Sequence, residues 1–351
     1  MQIFTTTFDS FGLDIGDRSL KVAYLKPYGT SAQLSSTGSI DVPKGVFDKG
    51  ALIKPDIFCE YLTKLLDNVA PKKIKTKYVH ACLPETHTFI KLLSIDAKSS
   101  EEIPALIRDE LPRHVPLDIN DTYLDWSIVP NQNIDPSKAS VLVGVIPKKT
   151  SDAYTSSLRN CNLIPVSLQI EAQAILRSVL PYNEPEKKSL AVVDIGATRA
   201  SFILFDHGSI QFTISVPFAS DDMTNRIAQE LSLSQTDAEK AKTNIGLDKT
   251  KGKGSLLTVL GPMVQELATI FKKNTSFYKE HFAGASPIND IMLCGGGAQL
   301  QGLPEMLSEL LPNIKITRAN PMINAHDAEK HNLNLSYTTA IGLGLTNAFR
   351  T

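Results

Sequence analysis

LAVVDIGATRASFILF, residues 190–205, reads as a buried strand, a tight acidic glycine turn and a second strand. The apolar run leads into Asp194-Ile195-Gly196-Ala197-Thr198. That places one carboxylate and small residues at a hairpin tip, where backbone N–H groups can converge on an anion. A carboxylate in this position suits a hydrated Mg²⁺, which keeps several waters and takes only one or two carboxylates. Asp and Gly also populate turns for purely structural reasons, so one copy of the pattern decides nothing. The second copy does. Residues 11–25, FGLDIGDRSLKVAYL, carry Asp14-Ile15-Gly16 in the same strand-turn-strand setting. Two such units imply two similar half-domains facing a shared cleft.

The rest of the composition bounds the function. A chain of 351 residues with 42% hydrophobic content can build two cores, and 36 basic against 37 acidic residues leave no overall charge to attract nucleic acid or an anionic membrane. Partners must be recognised locally. Cys59, Cys82, Cys161 and Cys294 lie far apart with no Cys-x-x-Cys pair, so neither a zinc site nor a disulfide framework is expected and the four read as small core residues in a reducing compartment. No stretch reads as the roughly 18 apolar residues that span a bilayer, and the amino terminus lacks a signal-peptide pattern. The expected location is cytoplasmic.

Along the chain, residues 11–40 predict a three-stranded meander, 55–69 an amphipathic helix and 78–83 a strand. The character changes at about residues 86–149, which read as a small inserted α+β unit: a strand at 89–95, a helix from about 99, strands at 123–129 and 140–146, and a polar hairpin loop at 130–137. A helix at 151–162, a strand at 164–168 and a helix at 171–180 follow, then a polar connector at 181–188. After the second repeat come helices at 221–231 and 237–244. The Lys- and Gly-rich loop at 248–254 reads as solvated. A long helix runs from Leu256, and a strand at 288–294 delivers Gly295-Gly296-Gly297 before a helix starting near Pro304. Glycines between a strand and a helix let the backbone approach a flat ligand closely.

The order acidic glycine turn, second acidic glycine turn, then strand-glycines-helix resembles the actin-like ATPase superfamily over nearly the whole chain. Within it the sequence is similar to the PilM family of type IV pilus assembly, and next to the FtsA family of cell division. The segments that carry the resemblance are residues 12–25, 192–208 with Pro217-Phe218, 222–242, 266–278, 291–303 and 337–344. An inserted unit at 86–149 sits where those two families carry theirs. The implied fold is α/β, an actin-like (ribonuclease H-like, duplicated) two-domain architecture with an inserted α+β subdomain. The implied divisions are 1–85 (subdomain 1A), 86–149 (1C), 150–189 (return to 1A), 190–216 (2A), 217–284 (2B), 285–325 (return to 2A) and 326–351 (a carboxy-terminal helix returning to 1A).

The resemblance also implies a site that holds ATP or ADP with Mg²⁺. Asp14 and Asp194 would face each other and hold the metal through water. Gly16, Asp17, Arg18, Ser19 and Lys21 would line the phosphates from one side and Gly196, Ala197 and Thr198 from the other. Glu239 and Lys242 would approach the ribose and base, Gly295, Gly296, Gly297 and Leu300 would close over it, and Glu171 would orient the attacking water. Glu239 and Lys242 also read as a simple pair across one helical turn, and Glu171 as a helix-start carboxylate. Asp17 departs from the Ser or Thr usual in relatives and sets a carboxylate near the phosphates beside Arg18. Ala219-Ser220 stands in place of a glycine pair.

The implied function is a cytoplasmic ATP-binding component of the pilus inner-membrane platform, at most a slow ATPase. Its implied partner is the amino-terminal cytoplasmic peptide of a PilN-like membrane protein, docked between the first domain and the insert. Other platform or motor components would be further partners. An FtsA-like division protein is the alternative, against which stands the absence of a basic amphipathic helix after residue 344. A small-molecule kinase is the third reading; it would need a catalytic base, and Asp221 and Asp222 read instead as helix-start residues.

Overall fold

The computed structural model describes residues 8–97, 99–129, 138–182, 188–282, 284–327, 331 and 333–347. The hairpin loop expected at 130–137 and most of the connector expected at 181–188 lie outside the described residues.

The first half opens with the meander β1 (Ser10–Ile15), β2 (Ser19–Tyr28) and β3 (Ser31–Asp41), followed by a small hairpin, β4 (Phe47–Asp48) and β5 (Ala51–Leu52). Helix α1 (Pro55–Asp67) starts on a proline, whose missing N–H costs nothing in the first turn, and buries Phe58, Leu62 and Leu65 at helical spacing. Strand β6 (Tyr78–Leu83) leads into the inserted unit, built of β7 (Phe89–Ile95), α2 (Ile103–Glu110), β8 (Thr122–Ile128) and β9 (Ala139–Pro147). The chain returns through α3 (Lys148–Asn160), β10 (Ile164–Ile170) and α4 (Glu171–Val179).

The second half repeats the plan with β11 (Leu190–Ile195), β12 (Ala200–Asp206) and β13 (Ser209–Val216). Then come α5 (Ser220–Glu230), α6 (Gln235–Asn244), α7 (Ser255–His281), β14 (Asp290–Cys294), α8 (Leu303–Leu310) and β15 (Lys315–Arg318). Short β16 (Ala325–His326) and α9 (Thr338–Gly344) close the chain against the first half.

The duplication is explicit in the sheets. The first runs β10-β6-β1-β2-β3-β16 and the second β15-β14-β11-β12-β13-β7-β9-β8. In each, an antiparallel meander is followed by two parallel strands on the side of its first strand. The turns match too: Ile15 pairs with Leu20 and Gly16 N–H bonds Ser19 O at 3.0 Å, while Ile195 pairs with Ala200 and Gly196 N–H bonds Arg199 O at 2.9 Å. The insert has its own core of Leu93, Ile95, Ile103, Ile107, Val141, Val143 and Val145. It joins the second sheet where β7 meets β13 at Lys91 and Phe212, which covers a strand edge that would otherwise offer unpaired backbone groups.

Three sequence expectations change. The helix expected from residue 99 begins at Ile103, because Pro104 is favoured only in the first turn. Residues 252–281 are long and apolar enough to cross a membrane by composition, contrary to the sequence reading. The apolar face of α7 is spent instead on the core of the second half, where Leu256, Leu260, Val264, Leu267 and Phe271 are buried. Finally, Cys59 on α1 and Cys161 at the end of α3 form a disulfide with Cα atoms 5.2 Å apart. The packing of α1 on α3 joins cysteines 102 residues apart, a proximity that spacing along the chain does not show. Cys82 and Cys294 are free and buried, as expected of core residues.

Candidate functional site

The two acidic glycine turns face each other across a cleft of about 300 Å³. Asp14 ends β1 on one side, and Asp194 ends β11 on the other. Each carboxylate is buried and each receives a thiol from the neighbouring parallel strand: Cys82 Sγ lies 3.6 Å from Asp14 Oδ1, and Cys294 Sγ 3.4 Å from Asp194 Oδ1. The repeat therefore extends one strand beyond the turn. Lys21 Nζ stands 3.7 Å from Asp14 Oδ2 and donates to Ser19 Oγ at 2.6 Å.

Arg199 sits between the halves. Its Nη1 is 3.6 Å from Asp17 Oδ2 and its Nη2 is 3.6 Å from Glu171 Oε2 at the first residue of α4. Thr198 Oγ1 donates to Asp17 Oδ2 at 2.6 Å, and the Gly50 amide donates to Asp17 Oδ1 at 3.0 Å. Arg18 Nε reaches Asp221 Oδ2 on α5 at 2.8 Å. Gly295 adopts φ +80° and leaves room beside Asp194: a Cβ there would stand 2.6 Å from Asp194 Oδ1, so no side chain fits.

The charge of the cleft points to a cation. Burial pushes the Asp194 carboxyl up to about 6 despite the Cys294 thiol, raises Asp14 against the pull of Lys21, and pushes Glu171 up to about 8 despite Arg199. Glu85, buried just behind, is pushed up to about 7 by the same desolvation. Four buried carboxyl groups converge here, against Lys21 and Arg199; Arg18, which also lines the cleft, is paired with Asp221, and Asp17 adds a further carboxylate. A divalent cation held through water by Asp14 and Asp194 would relieve that excess, and the hard oxygen donors match Mg²⁺. Among the described residues, no group of three or more His, Cys, Asp or Glu side chains is arranged to bind a metal directly.

Of the residues expected from the sequence, Asp14, Gly16, Asp17, Arg18, Ser19, Lys21, Glu171, Asp194, Gly196, Ala197, Thr198, Gly295, Gly296 and Gly297 all line this cleft. Glu239, Lys242 and Leu300 do not. Lys242 is buried and bonds Glu239 at 2.8 Å, Ser220 Oγ at 2.7 Å and Thr224 Oγ1 at 2.7 Å. The bond to Glu239 is the one-turn pair weighed above, and Ser220 is its link to the cleft wall. Glu239 faces a separate depression with Lys44, Asn225 and Gln235. Leu300 is packed in the core of the second half.

Sequence reasoning missed Arg199, Glu85, Cys82 and Cys294. Arg199 lies three residues beyond Gly196 in the quoted turn, where Ser19 stands in the first copy; that mismatch between the copies was the available signal.

A second depression, of about 390 Å³, lies between the insert and the first half. Its walls are two sheet edges, β8 of one sheet and β10 of the other. Tyr123, Trp126, Leu168 and Ile170 line it, and Tyr123, Ile128, Ile164 and Val166 are exposed apolar side chains on those strands. Unpaired strand edges flanked by apolar side chains accept an extended peptide.

The model of the family described as type IV pilus assembly protein PilM matches residues 12–348. The cell division protein FtsA of Pseudomonas aeruginosa is 26% identical over 194 residues, 49% of this chain and 46% of FtsA; the match thus spans about half the length of that relative. Among solved structures, a chain of a PilM–PilN type IV pilus biogenesis complex is similar with TM-score 0.80 and 21% identity, covering 97% of this chain and 99% of that one. MreB5 of Spiroplasma citri bound to AMPPNP is similar with TM-score 0.54 and 13% identity, covering 95% and 94%. These likenesses establish an actin-like fold.

Proposed function

The chain belongs to the family of the type IV pilus assembly protein PilM, and on that premise we propose that it is a nucleotide-dependent docking component of the pilus assembly platform. The cleft between the two turns takes ATP or ADP with Mg²⁺. Asp14 and Asp194 hold the cation through water, the turns at Gly16–Ser19 and Gly196–Thr198 face the phosphates, and Gly295, Gly296 and Gly297 approach the base. When bound, the cation neutralises charge in the cleft. The observation that carries this reading is the pair of buried aspartates at matching strand ends, across one cleft whose carboxylate excess calls for a cation.

Turnover is slow in this reading. Burial raises the carboxyl of Glu171, the candidate for orienting water, and its Arg199 partner opposes that rise; favouring the neutral form weakens it as a base. A docking switch needs only different partner affinity in two states. The partner is the amino-terminal peptide of a PilN-like protein, and it lies in the groove between β8 and β10. Through that partner the protein is held at the cytoplasmic face of the inner membrane. The domains follow the divisions drawn from the sequence, with 1–85 and 150–189 as 1A, 86–149 as 1C and the second half from 190.

Calorimetry with ATP and Mg²⁺ tests the cleft: Asp194→Ala is expected to abolish binding, and unchanged affinity would overturn the assignment. Titration with a PilN-type amino-terminal peptide, with and without nucleotide, tests the groove separately.

A further inference from the structure

Asp17 breaks the internal symmetry, because the same place in the second turn is Ala197. Its side chain is only 7% exposed. The carboxylate gathers the Gly50 amide at 3.0 Å, the Thr198 hydroxyl at 2.6 Å and the Arg199 guanidinium at 3.6 Å. A backbone amide, a hydroxyl and a guanidinium are the donors that a phosphate oxygen otherwise takes. They come from both halves of the molecule. Beside them Arg18 bonds Asp221 on α5 at 2.8 Å, a second tie across the same cleft.

We infer that the Asp17 carboxylate is an internal substitute for a nucleotide phosphate, one that latches the two turns together and makes the cleft select nucleoside diphosphates over triphosphates. The inference rests on the nucleotide reading above. The donors at Gly50, Thr198 and Arg199 are already taken, so a ligand with one more phosphate has fewer donors for its extra charge. It must displace Asp17 or tolerate a like charge beside it. A diphosphate makes the smaller demand. Binding of a triphosphate thereby becomes the event that opens the latch, giving the cleft two states distinguished by who supplies the anion.

Calorimetric titration of ADP and of ATP, each with Mg²⁺, into the full chain and into Asp17→Ser is the test. The unaltered protein is expected to bind ADP at least about tenfold more tightly than ATP, a difference of about 1.4 kcal/mol, and Asp17→Ser to bring the two within about threefold. The same ADP-to-ATP ratio in both proteins overturns the inference. If neither protein binds either nucleotide, the nucleotide reading itself fails, and the latch is judged on the nucleotide-free chain by small-angle scattering. Asp17→Ser and Thr198→Val are then both expected to enlarge the radius of gyration, and unchanged scattering from both overturns the latch.

Discussion

Replacing Glu85 by Gln is expected to stabilise the protein in alkaline solution and to leave it nearly unchanged in acid. Glu85 follows β6, is 6% exposed, and accepts a hydrogen bond from Ser201 on β12. Burial lifts its carboxyl from the ordinary 4.5 to about 7, offset in part by Thr213 and Arg199. At about 1.36 kcal/mol per pH unit, that displacement corresponds to about 3 kcal/mol. The sign follows from linkage. A carboxyl whose pKa is higher folded than unfolded favours the folded state fully below pH 4.5, and that contribution is lost as pH rises through 7. Gln keeps the shape and an acceptor for Ser201 but cannot ionise. Thermal unfolding of both proteins between pH 5 and pH 8.5 should therefore show Tm values that agree in acid and separate by several degrees in base, the variant being higher. A difference that does not change with pH would refute the buried-carboxyl argument. So would a variant that is the less stable protein at pH 8.5.

Two further outcomes can be checked directly. A Cβ on Gly342 would overlap the Ala174 carbonyl, since α9 lies backbone to backbone on α4; Gly342→Ala is expected to lower stability by about 1–3 kcal/mol or more, read by urea unfolding. Tyr123→Ala removes an exposed ring from the groove wall together with two surface contacts, its hydroxyl's bond to Asp152 and the Lys148 ammonium 5.9 Å from the ring centroid. It should weaken binding of a PilN-type peptide about tenfold, in the range typical of an aromatic anchor, while ATP affinity and Tm stay as they were.

The fold was legible to the extent that it was written in repeats and periodicity. The strands expected at 78–83 and 89–95 coincide with β6 and β7, short runs rich in apolar residues. The paired Asp-Ile-Gly turns disclosed both halves of the cleft, since each turn is local in sequence. What stayed hidden is what depends on strand order. Cys82 and Cys294 reach the aspartates only because β6 and β14 lie beside β1 and β11, and no spacing along the chain encodes that neighbourhood. Glu85, between β6 and β7, is buried where the insert joins the second sheet through β13. Lys242 was expected at the nucleotide; the hydroxyls of Ser220 and Thr224 compete for its ammonium and hold it inside the protein.

The cleft and the groove share a wall one residue thick. Ile170 ends β10 and lines the groove, its side chain filling the space left by Gly144 on β9 of the insert, where a Cβ would stand 2.9 Å from Ile170 Cδ1. The next residue, Glu171, begins α4, lines the cleft and faces Arg199. Any ligand that recruits Arg199, or that drives Glu171 to give up its proton, acts on the residue joined by one peptide bond to the groove. Helix α4 packs closely on α9, without room for a Cβ at Gly342, so β10 is the expected route of a displacement toward the insert. Coupling between two sites is a reciprocal free energy, so the peptide must shift nucleotide affinity by the same factor that nucleotide shifts peptide affinity. Gly144→Ala, which lies in the insert and presses on Ile170, should change that factor. Equal coupling in the variant and the unaltered protein would show that the shared wall transmits nothing.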